Sequence, residues 1–291
     1  MNVKRRIRNV LMRGKRWLID ETRPPKIPEV PFDNNYEWLS ASAQKLWYDA
    51  SCPRRPHYIW GVLQGAALGR VLGADRISVI EFGVAGGAGL LALEEIADRC
   101  EKLADIRIDV YGFDSGRGLP KPHDYRDLPN LFAEGQFALD WEPLKRRLRR
   151  AQLHLGLVKD TLPDFIRSSP APVAFAAFDL DLYTSTIDAF SVLDADNRVL
   201  LPRVASYFDD ILGYTYCEYN GERLAIAEFN NRHAMKKICP MYGLKYFLPP
   251  EFRDWYSFEC MYWIHLFDHP SYNAPDVLRM PQTLDIEGCE R

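Results

Sequence analysis

Short apolar runs alternate with helical patterns through the middle of the chain. The runs are rich in β-branched and aromatic residues, which is typical of strands buried on both faces of a sheet. Five strands are predicted in this way, at 77–84, 108–114, 152–158, 173–181 and 204–210. Helical patterns lie between or after them, at 86–104, 141–151, 184–194 and 222–237. Strands that alternate with helices predict a doubly wound, mainly parallel sheet.

The aromatic end of the chain predicts a different arrangement. GLKYFLPP (243–250) and ECMYWIHLFDHP (259–270) are strand-like and have no helical pattern between them. Two such runs pair as an antiparallel hairpin. The predicted fold class is therefore α/β, with a Rossmann-like, doubly wound, mainly parallel seven-stranded sheet that ends in an antiparallel C-terminal hairpin.

The region before the sheet has two parts. Residues 1–18 place apolar residues at helical spacing among seven Lys or Arg and no acid, which predicts a basic amphipathic helix. Four prolines follow between positions 24 and 31, and they favour an extended linker. We predict a basic arm with its linker at 1–31, a helical cap at 32–76, the main domain at 77–270 and a tail at 271–291.

The charge of the arm contrasts with that of the remaining chain. Beyond residue 18 the chain has 30 basic and 40 acidic residues, a formal charge of −10. The arm is therefore expected to bind an anionic membrane surface or an acidic partner, or to pack on the acidic remainder of its own chain or on a sister subunit. These alternatives stay open. Nucleic acid is not an expected partner, because the acidic body would repel phosphates.

The location of the protein is also predicted from composition. The sequence has no apolar stretch of about 18 residues and no secretory signal, which predicts a cytoplasmic protein, with peripheral membrane contact through the arm as the open alternative. Six cysteines occur without a CxxC pair, so neither a zinc site nor a disulfide framework is indicated.

A glycine-rich turn follows the first predicted strand, in EFGVAGGAG. Gly83 and Gly87 allow a ligand to approach the backbone, and the following helix offers free N–H groups. This signal is shared by dinucleotide-binding and methyl-donor-binding folds. Glu81, two residues before the first glycine, and the terminal hairpin favour the methyl donor. Asp114, with Ser115 beside it in YGFDSGRGLP, ends the second strand and can accept the hydroxyls of a ribose.

Four carboxylates follow the fourth and fifth predicted strands, in FDLDLYTST and YFDDIL. Because the carboxyl ends of parallel strands meet at one edge of a sheet, we expect them to lie close together. Carboxylates this close repel one another unless a cation or protons intervene, so a hard divalent ion such as Mg²⁺ is expected. The residues concerned are Asp179, Asp181, Asp209 and Asp210.

These motifs together resemble a known family. EFGVAGGAG, YGFDSGRGLP, GLVKDTLPDF, FDLDLYTST, YFDD and GERLAIAEF occur in the order seen in the macrocin O-methyltransferase family, over about residues 77–230. The resemblance implies metal-dependent methylation of sugar hydroxyls from S-adenosylmethionine. It also implies that Asp179, Asp209 and Asp210 bind the metal and that Asp160 borders the donor. Asp181 is similar to the general base of one branch, whereas another branch uses a histidine.

The expected function is O-methylation of a hydroxyl of a sugar or glycoside, with S-adenosylmethionine as donor and Mg²⁺ as the metal. The acceptor is a small molecule, a glycan or a glycolipid. A cation can acidify the acceptor hydroxyl while Asp181 removes its proton. Three alternatives stay open, namely methylation of a catechol-like diol, a nicotinamide-dependent oxidoreductase, and a non-catalytic scaffold that binds the methyl donor.

Overall fold

The computed structural model describes residues 35–213 and 215–274, together with Glu29 and Phe32. The strands are β1 Arg76–Phe82, β2 Arg107–Asp114, β3 Gln152–Leu155, β4 Val173–Phe178, β5 Leu200–Phe208, β6 Lys236–Pro240 and β7 Met261–Leu266. The helices are α1 Asn35–Trp47, α2 Pro56–Val71, α3 Ala88–Ala104, α4 Trp141–Arg147, α5 Val158–Arg167, α6 Tyr183–Phe190 and α7 Gly221–Arg232. The predicted basic arm, most of its linker and most of the tail lie outside the described residues.

The strands form one sheet in the order β3-β2-β1-β4-β5-β7-β6. Neighbours among β1 to β5 run parallel, and β7 runs antiparallel to both β5 and β6. This confirms the predicted fold class. None of the helices described is long and apolar enough to cross a membrane.

The first strand of the terminal hairpin lies earlier in the chain than predicted. It is β6, at Lys236–Pro240, whereas the predicted strand at 243–250 contains one 3₁₀ turn at Leu244–Phe247 and the start of a second at Pro250–Phe252. Gly243 enters the first turn with φ +76°, and the paired prolines at 249–250 supply no N–H for a strand ladder. The aromatic residues there are exposed instead of paired in the sheet, with Tyr246 74% and Phe247 65% accessible.

One helix and one strand end earlier than predicted, with consequences for their neighbours. The helix predicted at 222–237 ends at Arg232, which leaves room for β6. The strand predicted at 152–158 ends at Leu155, and Val158 starts α5, a helix that the pattern analysis did not predict. Pro163 lies inside α5, and proline is uncommon inside helices.

Helix α2 belongs to the core rather than to the surface. It is buried from Pro56 to Gly69 and packs against α3 and against β1, β4 and β5. Two glycines bring its backbone close to β4, because a Cβ at Gly61 would lie 2.4 Å from the Phe175 ring and one at Gly65 2.7 Å from Ala174. The predicted helical cap therefore contributes directly to the packing of the sheet.

A row of phenylalanines aligns the ends of the four central strands. Their rings stack across β2, β1, β4 and β5 with centroid separations of 5.1, 5.2 and 4.6 Å. They are Phe113, Phe82, Phe178 and Phe208, which are direct partners in the strand register. The next residue of each strand therefore reaches the same edge of the sheet; these residues are Asp114, Gly83, Asp179 and Asp209.

Candidate active site

The glycine turn after β1 is tightly built. Gly83 has φ +83°, and its N–H donates to the carbonyl of Phe113 at 2.8 Å. A Cβ at this position would lie 1.9 Å from the carbonyl oxygen of Asp179, so a larger residue does not fit. Gly87, with φ +78°, is the N-cap of α3. Helix α3 therefore begins at the carboxyl edge of the sheet, beside a cleft lined by Gly83 and Ala85.

Asp114 holds the glycine turn in place. Its Oδ2 accepts hydrogen bonds from the N–H groups of Val84 and Ala85, both at 2.9 Å, and its Oδ1 accepts one from the N–H two residues further on. A carboxylate has about four lone-pair positions, so one remains for a ligand hydroxyl. Ser115 donates to the carbonyl of Gly118 at 2.6 Å. Asp114 and Ser115, which are predicted to bind the donor, both line the cleft.

The segment 115–137 folds over this cleft. Its residue Asp127 is fully buried and accepts hydrogen bonds from the N–H of Thr184 at 2.9 Å and from the hydroxyl of Thr184 at 3.2 Å, at the start of α6. The cleft encloses a cavity of about 60 Å³. Asp160 is exposed in the first turn of α5 and is not among the cleft-lining residues, whereas 156–158 are.

Glu81 lies beneath the glycine turn with 3% of its surface exposed. Its Oε1 accepts a hydrogen bond from the Tyr58 hydroxyl at 2.8 Å, and its Oε2 has no hydrogen-bond partner among the described residues. A Cβ at Gly89 would lie 1.8 Å from Oε1, so this glycine makes room for the carboxyl group. Burial raises the pKa of Glu81 to about 8, although the positive charge of Arg55 opposes the shift.

Three of the four predicted carboxylates come together. Asp179, Asp181 and Asp210 each offer an oxygen, and these oxygens lie within 4.8 Å of one another. Strand β4 ends at Phe178, and Asp181 adopts a left-handed backbone with φ +61° that turns the chain at this point. The N–H of Asp181 donates to Oδ2 of Asp210 at 3.0 Å. The turn thus brings residues two apart into one group without requiring a continuing strand.

Asp209 is oriented differently from the other three. Its Oδ1 accepts a hydrogen bond from the Tyr207 hydroxyl, and it is not part of the group formed by Asp179, Asp181 and Asp210. The Tyr207 ring in turn packs against His57, with the ring centroids 4.4 Å apart. The residues that the structure groups therefore include Asp181, the expected base, and leave out Asp209, an expected ligand.

Solved structures with this architecture are known. No protein-family profile and no curated protein matches the chain. A crystal structure of CalS11, described as a calicheamicin methyltransferase, is 21% identical, with a TM-score of 0.50, over 83% of this chain and 95% of that chain. The chain has the methyltransferase fold.

Other solved structures are more distant. An apo structure of CalS11, described as a TDP-rhamnose 3′-O-methyltransferase, is 20% identical over 83% of this chain and 97% of its own, with a TM-score of 0.42. Cofactor-bound Rv0187 from MTB is 15% identical over 79% of this chain and 89% of its own, with a TM-score of 0.38.

Glu222 is a residue of this methyltransferase fold that the sequence analysis did not single out. It is fully buried in the first turn of α7, and its Oε2 accepts a hydrogen bond from the N–H of Asp210 at 2.9 Å. Burial, together with the charge of Asp210, raises the pKa of Glu222 well above its ordinary value. Its hydrogen bond holds Asp210 from the side of α7, and its sequence signals are an acidic residue at a helix start and its place in the motif GERLAIAEF.

Arg55 is the second residue that the sequence analysis missed. It directly precedes α2, is half-buried, and holds its guanidinium 4.9 Å from the centre of the Tyr58 ring. Burial lowers the pKa of Arg55, but the neighbouring Tyr58, Glu81, Tyr207 and Asp179 outweigh burial and raise the pKa above its ordinary value. Its place in the site depends on the packing of α2 against the sheet, which no local motif records.

The buried carboxyl of Glu81 makes stability depend on pH. Its pKa in the folded chain is about 8, against 4.5 for an ordinary glutamate, so the folded state binds the extra proton between these values. Its contribution to stability is therefore complete below about pH 4.5 and is lost as the pH rises through 8. Glu81→Gln should unfold with a free energy close to that of the wild type at pH 5 and should be the more stable of the two at pH 8.5.

Urea unfolding at the two pH values measures this difference, and Glu134→Gln is the control, because it makes the same charge change at an exposed position. An equal effect of Glu81→Gln at both pH values would show that the carboxyl is not protonated in the folded chain.

Proposed function

We propose that this protein is an S-adenosylmethionine-dependent and divalent-metal-dependent O-methyltransferase that acts on a hydroxyl of a sugar or glycoside. The observation behind the proposal is the group of Asp179, Asp181 and Asp210, which lies beside a glycine turn in a methyltransferase fold. The ordered motifs that resemble sugar O-methyltransferases support it. The solved structure of similar fold that is described as a calicheamicin methyltransferase is consistent with the proposal.

The donor would lie in the cleft between the glycine turn and the carboxylate group. Gly83 and Gly87 would allow its close approach, and the remaining lone pair of Asp114 would accept a ribose hydroxyl. Ser115 lines the same cleft, and Asp160 stays a predicted neighbour of the donor. Residues at both ends of the segment 115–137, among them Leu119 and Phe137, line this cleft and would contact the donor.

The carboxylate group fits a hard divalent cation. Three acidic oxygens within 4.8 Å repel one another, and oxygen donors are the ligands that Mg²⁺ takes. Asp179 and Asp210 would hold the ion, and Asp209, whose Oδ1 accepts a hydrogen bond from Tyr207, would have to reorient to join them. A bound ion supplies Lewis acidity, which lowers the pKa of an acceptor hydroxyl.

The protein's own residues would perform the remaining chemistry. The acceptor oxygen attacks the sulfonium methyl group in line, so a C–O bond forms as the C–S bond breaks, and positioning supplies much of the rate. Asp181 would accept the proton that the hydroxyl loses. The products are a methyl ether, S-adenosylhomocysteine and one proton, which Asp181 later releases to water.

A radiochemical assay tests the proposal. Wild-type protein would be incubated with methyl-labelled S-adenosylmethionine and a panel of nucleoside-diphosphate sugars and glycosides, with Mg²⁺ or with EDTA. Label should enter at least one sugar, EDTA should suppress the transfer, and added Mg²⁺ should restore it. Transfer that resists EDTA would reject the metal, and binding of NADH without binding of S-adenosylhomocysteine would reject the methyltransferase.

A further inference from the structure

Asp127 caps a helix that lies far from it in the sequence. Helix α6 begins after Leu182, whose apolar side chain accepts no hydrogen bond. Oδ1 of Asp127 instead accepts one, at 2.9 Å, from the N–H of Thr184, the second residue of α6 and a position that a capping side chain usually satisfies. A carboxylate at this place also interacts favourably with the positive end of the helix dipole. The segment 115–137 thus supplies the cap that α6 lacks.

The carboxyl group of Asp127 is buried, and its hydrogen bonds compensate for its burial. Oδ2 accepts hydrogen bonds from the N–H of His123 at 2.9 Å and from the Thr184 hydroxyl at 3.2 Å. Burial of a carboxylate is unfavourable unless such hydrogen bonds replace its water. If His123 or Thr184 moved away, the buried carboxylate would lose a partner. Asp127 therefore joins the segment 115–137 firmly to the start of α6.

Apolar side chains join the same two parts of the molecule. Leu128 belongs to a small buried cluster with Leu182, which directly follows Asp181, and this cluster is separate from the main core. Tyr216 packs against the cluster, and its hydroxyl donates to Oδ1 of Asp210 at 3.0 Å. The middle of the segment therefore packs on residues that adjoin two members of the carboxylate group.

The two ends of the segment line the cleft in which the donor would lie. Ser115 and Leu119 belong to one end and Phe137 to the other. Leu119 and Phe137 also pack against the small cluster around Leu128. A donor that contacts these residues would favour one position of the segment, and Asp127 would pass that preference on to the start of α6.

We propose that Asp127 is a positioning residue that couples the donor cleft to the carboxylate group, so that the donor and the cation each strengthen the binding of the other. This inference rests on the proposed function. A ligand that fixes the segment 115–137 also fixes, through Asp127, the turn from Asp179 to Thr184. The second ligand then binds to a site that the first has already ordered, so its binding costs less conformational entropy. Such coupling is reciprocal.

Calorimetric titrations with Mn²⁺ test the coupling. Mn²⁺ would be titrated into the protein alone and into the protein saturated with S-adenosylhomocysteine. In the wild type the second affinity should be higher by about 5- to 150-fold, the usual size of coupling between two sites. Asp127→Ala should bind each ligand alone with nearly the wild-type affinity, but the difference between the two titrations should vanish. Asp127→Asn, which keeps one oxygen for the N–H of Thr184, should retain part of the difference.

Glu134→Ala is the matched control, because it removes a carboxylate from an exposed position of the same segment and should leave the coupling unchanged. Coupling that persists in Asp127→Ala, even with both affinities weakened, would show a structural role only and overturn the inference. Independent binding of the two ligands to the wild type would also overturn it, while the proposed function would stand. If the wild type binds neither ligand, the proposed function fails and the inference fails with it. If Asp127→Ala does not fold, undiminished coupling in Asp127→Asn would equally overturn the inference.

Discussion

Asp181→Asn is expected to lower the rate of methyl transfer by about 10²- to 10⁴-fold, the usual contribution of a general base. Asparagine has the shape of aspartate, but its amide does not take up a proton at neutral pH. It also tolerates the left-handed backbone that this position requires, with φ +61°. The variant should therefore fold and bind S-adenosylhomocysteine like the wild type, and the loss should appear in turnover.

The measurement is the initial rate at saturating donor, with Asp196→Asn as a control that makes the same substitution at an exposed residue. Binding of Mn²⁺, followed by its electron paramagnetic resonance signal, separates two roles of Asp181. Lost turnover with retained Mn²⁺ affinity supports a base, whereas loss of both makes Asp181 a metal ligand. Retained turnover would reject both roles.

Gly83→Ala is expected to destabilise the protein by about 2–4 kcal/mol, because it combines steric overlap with an unfavourable backbone. The added Cβ would lie 1.9 Å from the carbonyl oxygen of Asp179, and the residue would have to keep φ +83°. To relieve this overlap, either the glycine turn or the loop that begins at Asp179 must move. Both bound the cleft, so binding of S-adenosylhomocysteine should weaken together with stability.

Gly86→Ala is the control for this substitution in the same turn. Gly86 does not have a positive φ, and a Cβ there would meet no atom within 4 Å. Its effect on the free energy of unfolding should stay within about 0.5 kcal/mol, as for other substitutions that disturb no contact. Urea unfolding and calorimetry of the two variants make the comparison, and equal effects would show that the close approach at Gly83 does not restrict the turn.

The central strands could be predicted because their burial is visible in their composition. VAFAAF in β4 is buried at every position, so its apolar run marks a strand without knowledge of its neighbours. KKICP in β6 is short, begins with two lysines and ends with a proline, and only its pairing with β7 makes it a strand. The aromatic run at 243–250 has more apolar character and yet forms 3₁₀ turns, because backbone geometry outweighs composition there.

The candidate site was predictable as far as the strand ends position it. Asp179 follows β4 directly, so its place at the carboxyl edge is a consequence of topology. Asp181 reaches the same group through a backbone turn that strand alternation does not describe. Arg55 and Glu222 reach the site through the packing of α2 and α7. The orientation of Asp209 depends on the hydrogen bond that the Tyr207 hydroxyl donates to it. These contacts depend on tertiary structure, which single-sequence patterns do not encode.

The strand order has a consequence for how the chain folds as it is synthesised. Strand β7 lies between β5 and β6, and within the described residues β6 pairs only with β7. Until residue 266 has left the ribosome, β5 presents an open edge to its surroundings and β6 has no partner. Open edges invite pairing with other chains. The last two strands can therefore join the sheet only after β7 has been synthesised, although β6 precedes it in the chain, and until then the edge of β5 is open to pairing with other chains.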